Sequence, residues 1–384
     1  MVNNIWNQQV VKKNNKALVM QLIMEKSPIS RADISQISGL HKTTVSSLVN
    51  ELIEEELIFE SGPGESSGGR RPVILHFNKD AGYTIGIDIG VNYVLCLLTD
   101  LNGRILFEKM EFVNRTPYPT ILSKVQNTVT AMLEELPKSR YGIIGIGVGV
   151  PGIVNKQGSI LLAPNLGWSN IDLKKDLEDL FQVPVSIENE ANAGAFGEQQ
   201  FGAGQESENI IYISAGIGIG VGIIVNKELY QGKNGYSGEI GHMIINFNGK
   251  PCSCGSRGCW ETYASENALL ELAETESLES LIKSAENNNE TAHKLFMEIG
   301  TYLGFGINNI INTFNPEQVI IGNRLALARH WIELPIRKTI ESHTLTHHQK
   351  EMHLDFSQLG KYSTALGVSA FVVERFINER VATL

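Results

Sequence analysis

Cysteine is scarce in this chain: four of 384 residues, three of which, Cys252, Cys254 and Cys259, fall within eight positions. Thiols spread this unevenly do not make a disulfide framework. The cluster reads as metal binding in a reducing compartment, and Cys96, inside an apolar run, as a buried side chain. Long apolar runs are missing as well. No stretch approaches the roughly 20 residues that span a bilayer, and the first residues lack an apolar signal core, so a cytoplasmic location is expected. No GxxxxGK[ST] occurs and no GxGxxG opens a helix, which weakens both the P-loop and the dinucleotide-fold readings.

The segment GEIGHMIINFNGKPCSCGSRGCWE, Gly238 to Glu261, brings His242 to the three cysteines. An HCCC set suits one structural, tetrahedral Zn²⁺ closed to solvent, and a closed metal shapes a loop but has no open position for hydrolytic water. Glu239 and Glu261, beside it, are then left for a different ligand.

Charge is unevenly placed. The formal net charge is −10, yet residues 1–75 hold eight basic and eight acidic side chains, so the rest of the chain carries all of the excess. Lys12, Lys13, Lys16, Lys26, Arg31 and Lys42 precede most of the acids, which gives a basic leading end on an acidic body. That asymmetry is expected when only one end meets phosphate.

Leu18, Val19, Leu22 and Ile23 have helical spacing, ended by Ser27-Pro28. Ser30 and Asp33 predict a capping box for a short second helix that closes at Ser38-Gly39. A third helix, from about His41, buries Val45, Leu48, Val49, Leu52 and Ile53. Two helices across a tight Gly turn form a helix-turn-helix. The third helix presents His41, Lys42, Thr43, Thr44, Ser46, Ser47 and Asn50, the short hydrogen-bonding side chains that a recognition helix offers to bases and phosphates, with Arg31 nearby. Strands at Leu57–Glu60 and Val73–Leu75 flank SGPGESSGGRR, a wing whose Arg70 and Arg71 suit a minor groove.

After Asn78–Gly82 the pattern becomes α/β. Three strands, a helix, the buried strand GIIGIGVGV, and further helices and a strand give β-β-β-α-β-α-β-α. From Asn209 the plan restarts with IIYISAG, GVGIIVN and a third strand near His242–Ile245, then mostly helix with a strand at Val319–Ile321. Two copies of one plan predict two lobes with a cleft. The expected division is a winged helix-turn-helix DNA-binding domain at 1–77, a first lobe at 83–200 completed by a C-terminal helix at 362–380, and a second lobe at 201–361. That second lobe is expected to carry the zinc loop.

The DxG strand at Asp88, the GxGxG hairpin at Gly216–Gly220, PNLGW at Pro164–Trp168, GEIGH and CxCGxxGCxE together resemble the ROK family of repressors and sugar kinases. The resemblance spans nearly the whole chain. It implies an actin-like (ribonuclease H-like) two-lobed sugar-kinase fold, a structural zinc and oligomers built from dimers, with the oligomer interface on the second lobe at 201–361. Carried over position by position, the sugar contacts fall on Asn165, Asn189, Glu190, Glu239, His242 and Glu261. Such donors and acceptors match pyranose hydroxyls, and His242, bound to zinc through one nitrogen, would offer the other as a fixed donor. The full-length likeness lies with the family's repressors of xylose-use genes, which implies operator DNA and D-xylose as partners. A repressor answering glucose or N-acetylglucosamine, or an active ATP-dependent kinase carrying a DNA-binding domain, are the alternatives. Against the kinase, DxGGTK is replaced by Asp88-Ile89-Gly90-Val91-Asn92-Tyr93, the threonine of GTGxG by Ala215, and the catalytic-base aspartate by Glu190. Phosphoryl transfer depends on positioning and charge stabilisation, so no catalytic residue and no use of ATP is expected.

Overall fold

The computed structural model describes residues 8–63, 73–114, 116–275 and 277–382. The described residues begin with α1 (Gln8–Lys26), β1 (Ile29–Ser30), α2 (Arg31–Ser38), α3 (Lys42–Glu54), β2 (Ile58–Pro63) and β3 (Val73–Phe77). Ser30 caps α2 in the predicted box: its hydroxyl accepts from the Asp33 amide, and the Asp33 carboxylate accepts from the Ser30 amide at 3.2 Å. Gly39, at φ 70°, ends the helix in the left-handed conformation that glycine adopts without strain. The three strands form one antiparallel sheet in the order β1-β3-β2. β1, two residues long, carries too little pattern to be read from sequence. Arg70 and Arg71 lie outside the described residues.

The next elements are β4 (Tyr83–Ile89), β5 (Tyr93–Asp100), β6 (Ile105–Phe112), α4 (Tyr118–Glu134), β7 (Ile143–Val150), β8 (Ile153–Val154), β9 (Ile160–Ala163), β10 (Trp168–Ile171), α5 (Leu173–Phe181), β11 (Val185–Asn189) and α6 (Glu190–Phe201). Then follow β12 (Ile210–Ala215), β13 (Ile219–Val225), β14 (Glu228–Leu229), α7 (Glu261–Ala264), α8 (Glu266–Ala273), α9 (Leu278–Glu286) and α10 (Glu290–Phe314). β15 (Gln318–Gly322), α11 (Arg329–His343), α12 (Thr346–Gln349), β16 (His353–Phe356) and α13 (Ser363–Ala382) complete the chain. The two large sheets have the orders β11-β7-β4-β5-β6 and β14-β13-β12-β15-β16, which are one topology written in opposite directions. Each has its own buried apolar cluster.

The third strand expected near His242–Ile245 is a correction. Glu239–His242 is a 3-10 turn entered through Gly238 at φ 92°, followed by a single bridge from Ile244 to Cys259. The backbone there is committed to closing the cysteine loop, with the Ile245 amide on the Gly258 carbonyl and the Trp260 amide on that of Met243. β14 takes the sheet position instead.

The halves exchange helices. α6 follows β11 of the first sheet but packs on β12 and β13 of the second, whereas α13 follows β16 and packs on β4 and β7. The two helices cross in contact. A Cβ on Gly367 would lie 1.8 Å from the Ala193 carbonyl oxygen, and one on Gly197 would lie 2.2 Å from that of Ser363, so only glycine permits this spacing. Farther along, α13 also reaches the N-terminal unit: Val372, Val373, Phe376, Ile377 and Val381 share one buried cluster with Val19, Ile23, Leu52 and Leu75 of that unit and with Leu101 and Ile144 of the first lobe. The loop before β7 adds polar ties. Arg140 Nη1 donates to the Glu54 carbonyl at 2.9 Å and the Tyr141 hydroxyl to that of Glu55 at 2.8 Å, at the C-terminus of α3.

Gly367→Ala is expected to lower stability by about 2 kcal/mol through overpacking at the crossing. A urea or thermal melt checks this, and an unchanged midpoint would contradict the contact.

Candidate ligand and metal site

Five groups converge where the central strands of both sheets end at their carboxyl edges, the usual ligand position in α/β folds. Asp88 lies near the end of β4, Ser214 near the end of β12, Asn323 just after β15, and Glu190 and Thr364 head α6 and α13. Ser214 Oγ donates to Glu190 Oε1 at 3.3 Å and accepts from Asn323 Nδ2 at 2.9 Å, and Thr364 Oγ1 donates to the Glu190 carbonyl at 3.2 Å. Burial raises the Glu190 carboxyl, with the Ser214 bond opposing. Asp88 is 2% exposed and its Oδ1 has no partner. Burial first, then the Glu190 charge, pushes Asp88 up to about 8, against the hydrogen bond from Tyr93.

Tyr93 is the residue that sequence reasoning undervalued. Its hydroxyl donates to Asp88 Oδ2 at 2.7 Å, and its ring packs over Gly90 so closely that a Cβ there would meet it at 2.5 Å. The ring therefore fills the turn after β4. No periodicity marks such a side chain, because its role follows from the hairpin register that folds β5 back on β4.

The second group surrounds the cysteines. One ligand atom from each of His242, Cys252, Cys254 and Cys259 lies within 4.8 Å of every other. Cys254 and Cys259 sulfurs are 3.7 Å apart, and Cys252 Sγ is 3.6 Å from His242 Nδ1. A tetrahedron with 2.3 Å bonds has edges of about 3.8 Å, so the set fits one ion of zinc type. His242 turns Nδ1 to the cysteines and Nε2 toward Glu239, 3.8 Å away. Burial raises the Glu239 carboxyl, opposed by His242 and reinforced by Glu261. Glu261 Oε1 lies 3.1 Å from Cys252 Sγ, and its Oε2 lies against Gly218 of the β12–β13 hairpin. Asn323 lies against Gly216 of the same hairpin, which thus separates and links the two groups.

Of the sequence-predicted sugar residues, Glu239, His242 and Glu261 come together at the metal corner, and Asn189 and Glu190 at the base of the cleft. Asn189 is largely occupied: its Oδ1 caps α6 through the Ala191 and Asn192 amides, and its Nδ2 donates to the Gly152 carbonyl at 2.9 Å. One N–H is left for a ligand. Asn165 is exposed on the turn Pro164–Leu166, and none of the described contacts joins it to either group. On α3, His41, Lys42, Thr43, Ser47 and Asn50 are exposed, Thr44 and Ser46 half-buried. Arg31 is tied to Glu60 and donates to Asn50 Oδ1 at 2.9 Å.

Residues 84–375 match the model of the ROK family. The xylose repressor of Bacillus spizizenii is 45% identical over 379 residues, 98% of this chain and 99% of that one. A ROK family transcriptional regulator, described as a homolog of the E. coli MLC protein, superposes with a TM-score of 0.82 at 28% identity, covering 97% of this chain and 98% of its own. The ROK family glucokinase from Streptomyces griseus, in complex with glucose and AMPPNP, gives a TM-score of 0.70 at 29% identity, covering 76% of this chain and 99% of its own.

Asp88 sets a pH dependence. Its folded pKa of about 8 lies above the unfolded one, which is near ~4, so the folded state keeps a proton that the unfolded state has lost. Stability is therefore expected to fall as pH rises from ~4 to ~8, and Asp88→Asn to flatten that slope. Thermal melts across the range check it; parallel profiles for the two proteins would count against the buried carboxyl.

Proposed function

Because the chain belongs to the ROK family, we propose that it is a transcriptional repressor that holds its operator as a homodimer and leaves it when D-xylose occupies the interlobe cleft. The observation that carries this is coverage. The regulators match the chain end to end, whereas the kinase leaves about a quarter of it unmatched, and the chain has a separate N-terminal α/β unit before its lobes. In this reading that unit is a winged helix-turn-helix: α3 enters the major groove with His41, Lys42, Thr43, Thr44, Ser46, Ser47 and Asn50, Arg31 braces Asn50, and Arg70 and Arg71, outside the described residues, are further DNA contacts.

The sugar is held by Glu190, Asn189, Glu239, His242, Glu261 and Asn165. Zn²⁺ on His242, Cys252, Cys254 and Cys259 fixes the loop and the tautomer of His242, so that its Nε2–H stands toward Glu239 and the sugar. Phosphoryl transfer is not part of this function. Tyr93 occupies the first phosphate turn, Ala215 replaces a phosphate-side hydroxyl, and Glu190 stands one methylene longer than the aspartate base of the family's kinases.

The route from sugar to DNA runs through α13 and through Arg140 and Tyr141, which grip the end of α3. Linkage requires that operator weakens sugar binding by the factor by which sugar weakens operator binding, commonly about 5- to 150-fold.

Titrating an operator complex with xylose, glucose and N-acetylglucosamine tests the reading: release by xylose and no sugar-dependent ATP consumption are expected, and equal xylose affinity with and without operator would refute the coupling. Arg140→Ala is expected to keep operator binding while lowering the coupling factor, measured by xylose calorimetry on free and operator-bound protein.

A further inference from the structure

A cavity of about 350 Å³ is lined by residues of both lobes and of α13, none of them among the groups above. Its walls come from the loop after β8 (Lys156, Gln157), from α5 (Lys174), from the edge strand β11 (Ser186, Glu188), from Leu229 and Gln231 of the second lobe, and from Arg375 of α13. The volume is at the small end of the range of roughly 300–1,000 Å³ seen for small-molecule sites.

Its electrostatics are one-sided. Lys156 and Lys174 have no ion-pair partner among the described residues, and the Arg375 guanidinium lies 3.8 Å from Glu379 while donating to Ser186 Oγ at 3.0 Å. The one lining carboxylate, Glu188, is already satisfied: it accepts from the Asn189 amide at 2.8 Å, from Asn192 Nδ2 at 3.0 Å and from Gln231 Nε2 at 2.6 Å. Two cations without an ion-pair partner and the Arg375 guanidinium thus face a cavity otherwise walled in part by Val185, Ile187, Val368 and Phe371, in a chain of net charge −10. Ser186, Gln157 and Gln231 add groups that suit hydroxyls.

We propose that this cavity binds a small hydroxylated organic anion, a phosphate ester or a carboxylate, through Lys156, Lys174 and Arg375. The binding is independent of the sugar site. Its position joins both lobes to α13, since Arg375 lies one residue from Phe376, which packs into the N-terminal core. Glu188 directly precedes Asn189 and Glu190.

Calorimetry on the full chain with glycerol 3-phosphate, malate and inorganic phosphate tests the proposal, and the preferred probe tells phosphate ester from carboxylate. Saturable binding of one equivalent at low-millimolar concentration is expected. Lys174→Gln should weaken it at least about ten-fold, the usual effect of losing one charge-assisted bond. Lys175→Gln, on the same helix but paired with Asp179 outside the cavity, should leave it unchanged. Absence of saturable binding for all three probes, or binding that survives Lys174→Gln combined with Arg375→Gln, overturns the assignment.

Discussion

Where α6 crosses α13, backbone meets backbone: Gly197 faces the Ser363 carbonyl and Gly367 that of Ala193, with no side chain between them. That contact constrains the rest of the molecule. It lets each helix lie on the sheet of the other half, so the lobes are interlocked and not merely tethered. It also brings the N-termini of the two helices side by side, where Thr364 bonds the Glu190 carbonyl. The cleft base is therefore assembled by the crossing, and the acids at it are buried because the crossing is tight.

The N-terminal unit was legible nearly to the residue because its signals are local. Ser30 with Asp33, Gly39, and apolar spacing through Leu52 each act within a few positions. The duplicated α/β plan was legible for the same reason, from buried strands such as GIIGIGVGV. What failed was non-local or too short for a pattern. The β8–β10 sheet is made of strands of two to four residues. The expected strand near His242 has an apolar run, Met243 to Ile245, that mimics a strand; its backbone is diverted into the metal loop. The helix exchange cannot be read from any window of sequence, because it is decided by which sheet each apolar helix face reaches.

The candidate site shows the same division. The HCCC set was visible from spacing alone, and its geometry fits a tetrahedral ion. The expected sugar contacts rested on resemblance, and the structure sorts those residues into a metal corner, a cleft base and the exposed Asn165. Tyr93 was visible only as a departure from a kinase pattern. Its hydrogen bond to Asp88 supplies what a motif cannot, namely the reason a buried carboxyl remains in a turn filled by an aromatic ring: a protonated acid is tolerated there where a charged one is not.

Helix α13 has 20 residues, about 30 Å of rigid rod. One end sits beside Glu190 at the cleft and the other is embedded in the N-terminal core. Such a rod is pivoted at the glycine crossing near its inner end and held again on the first lobe by Arg375 on Ser186 and Val372 against Gly145. A tilt of about 4° there would move the outer end, about 15 residues on, by about 1.6 Å while the inner end scarcely moves. Amplification of this kind requires a stiff arm and a close pivot, and both are set by the same few small residues.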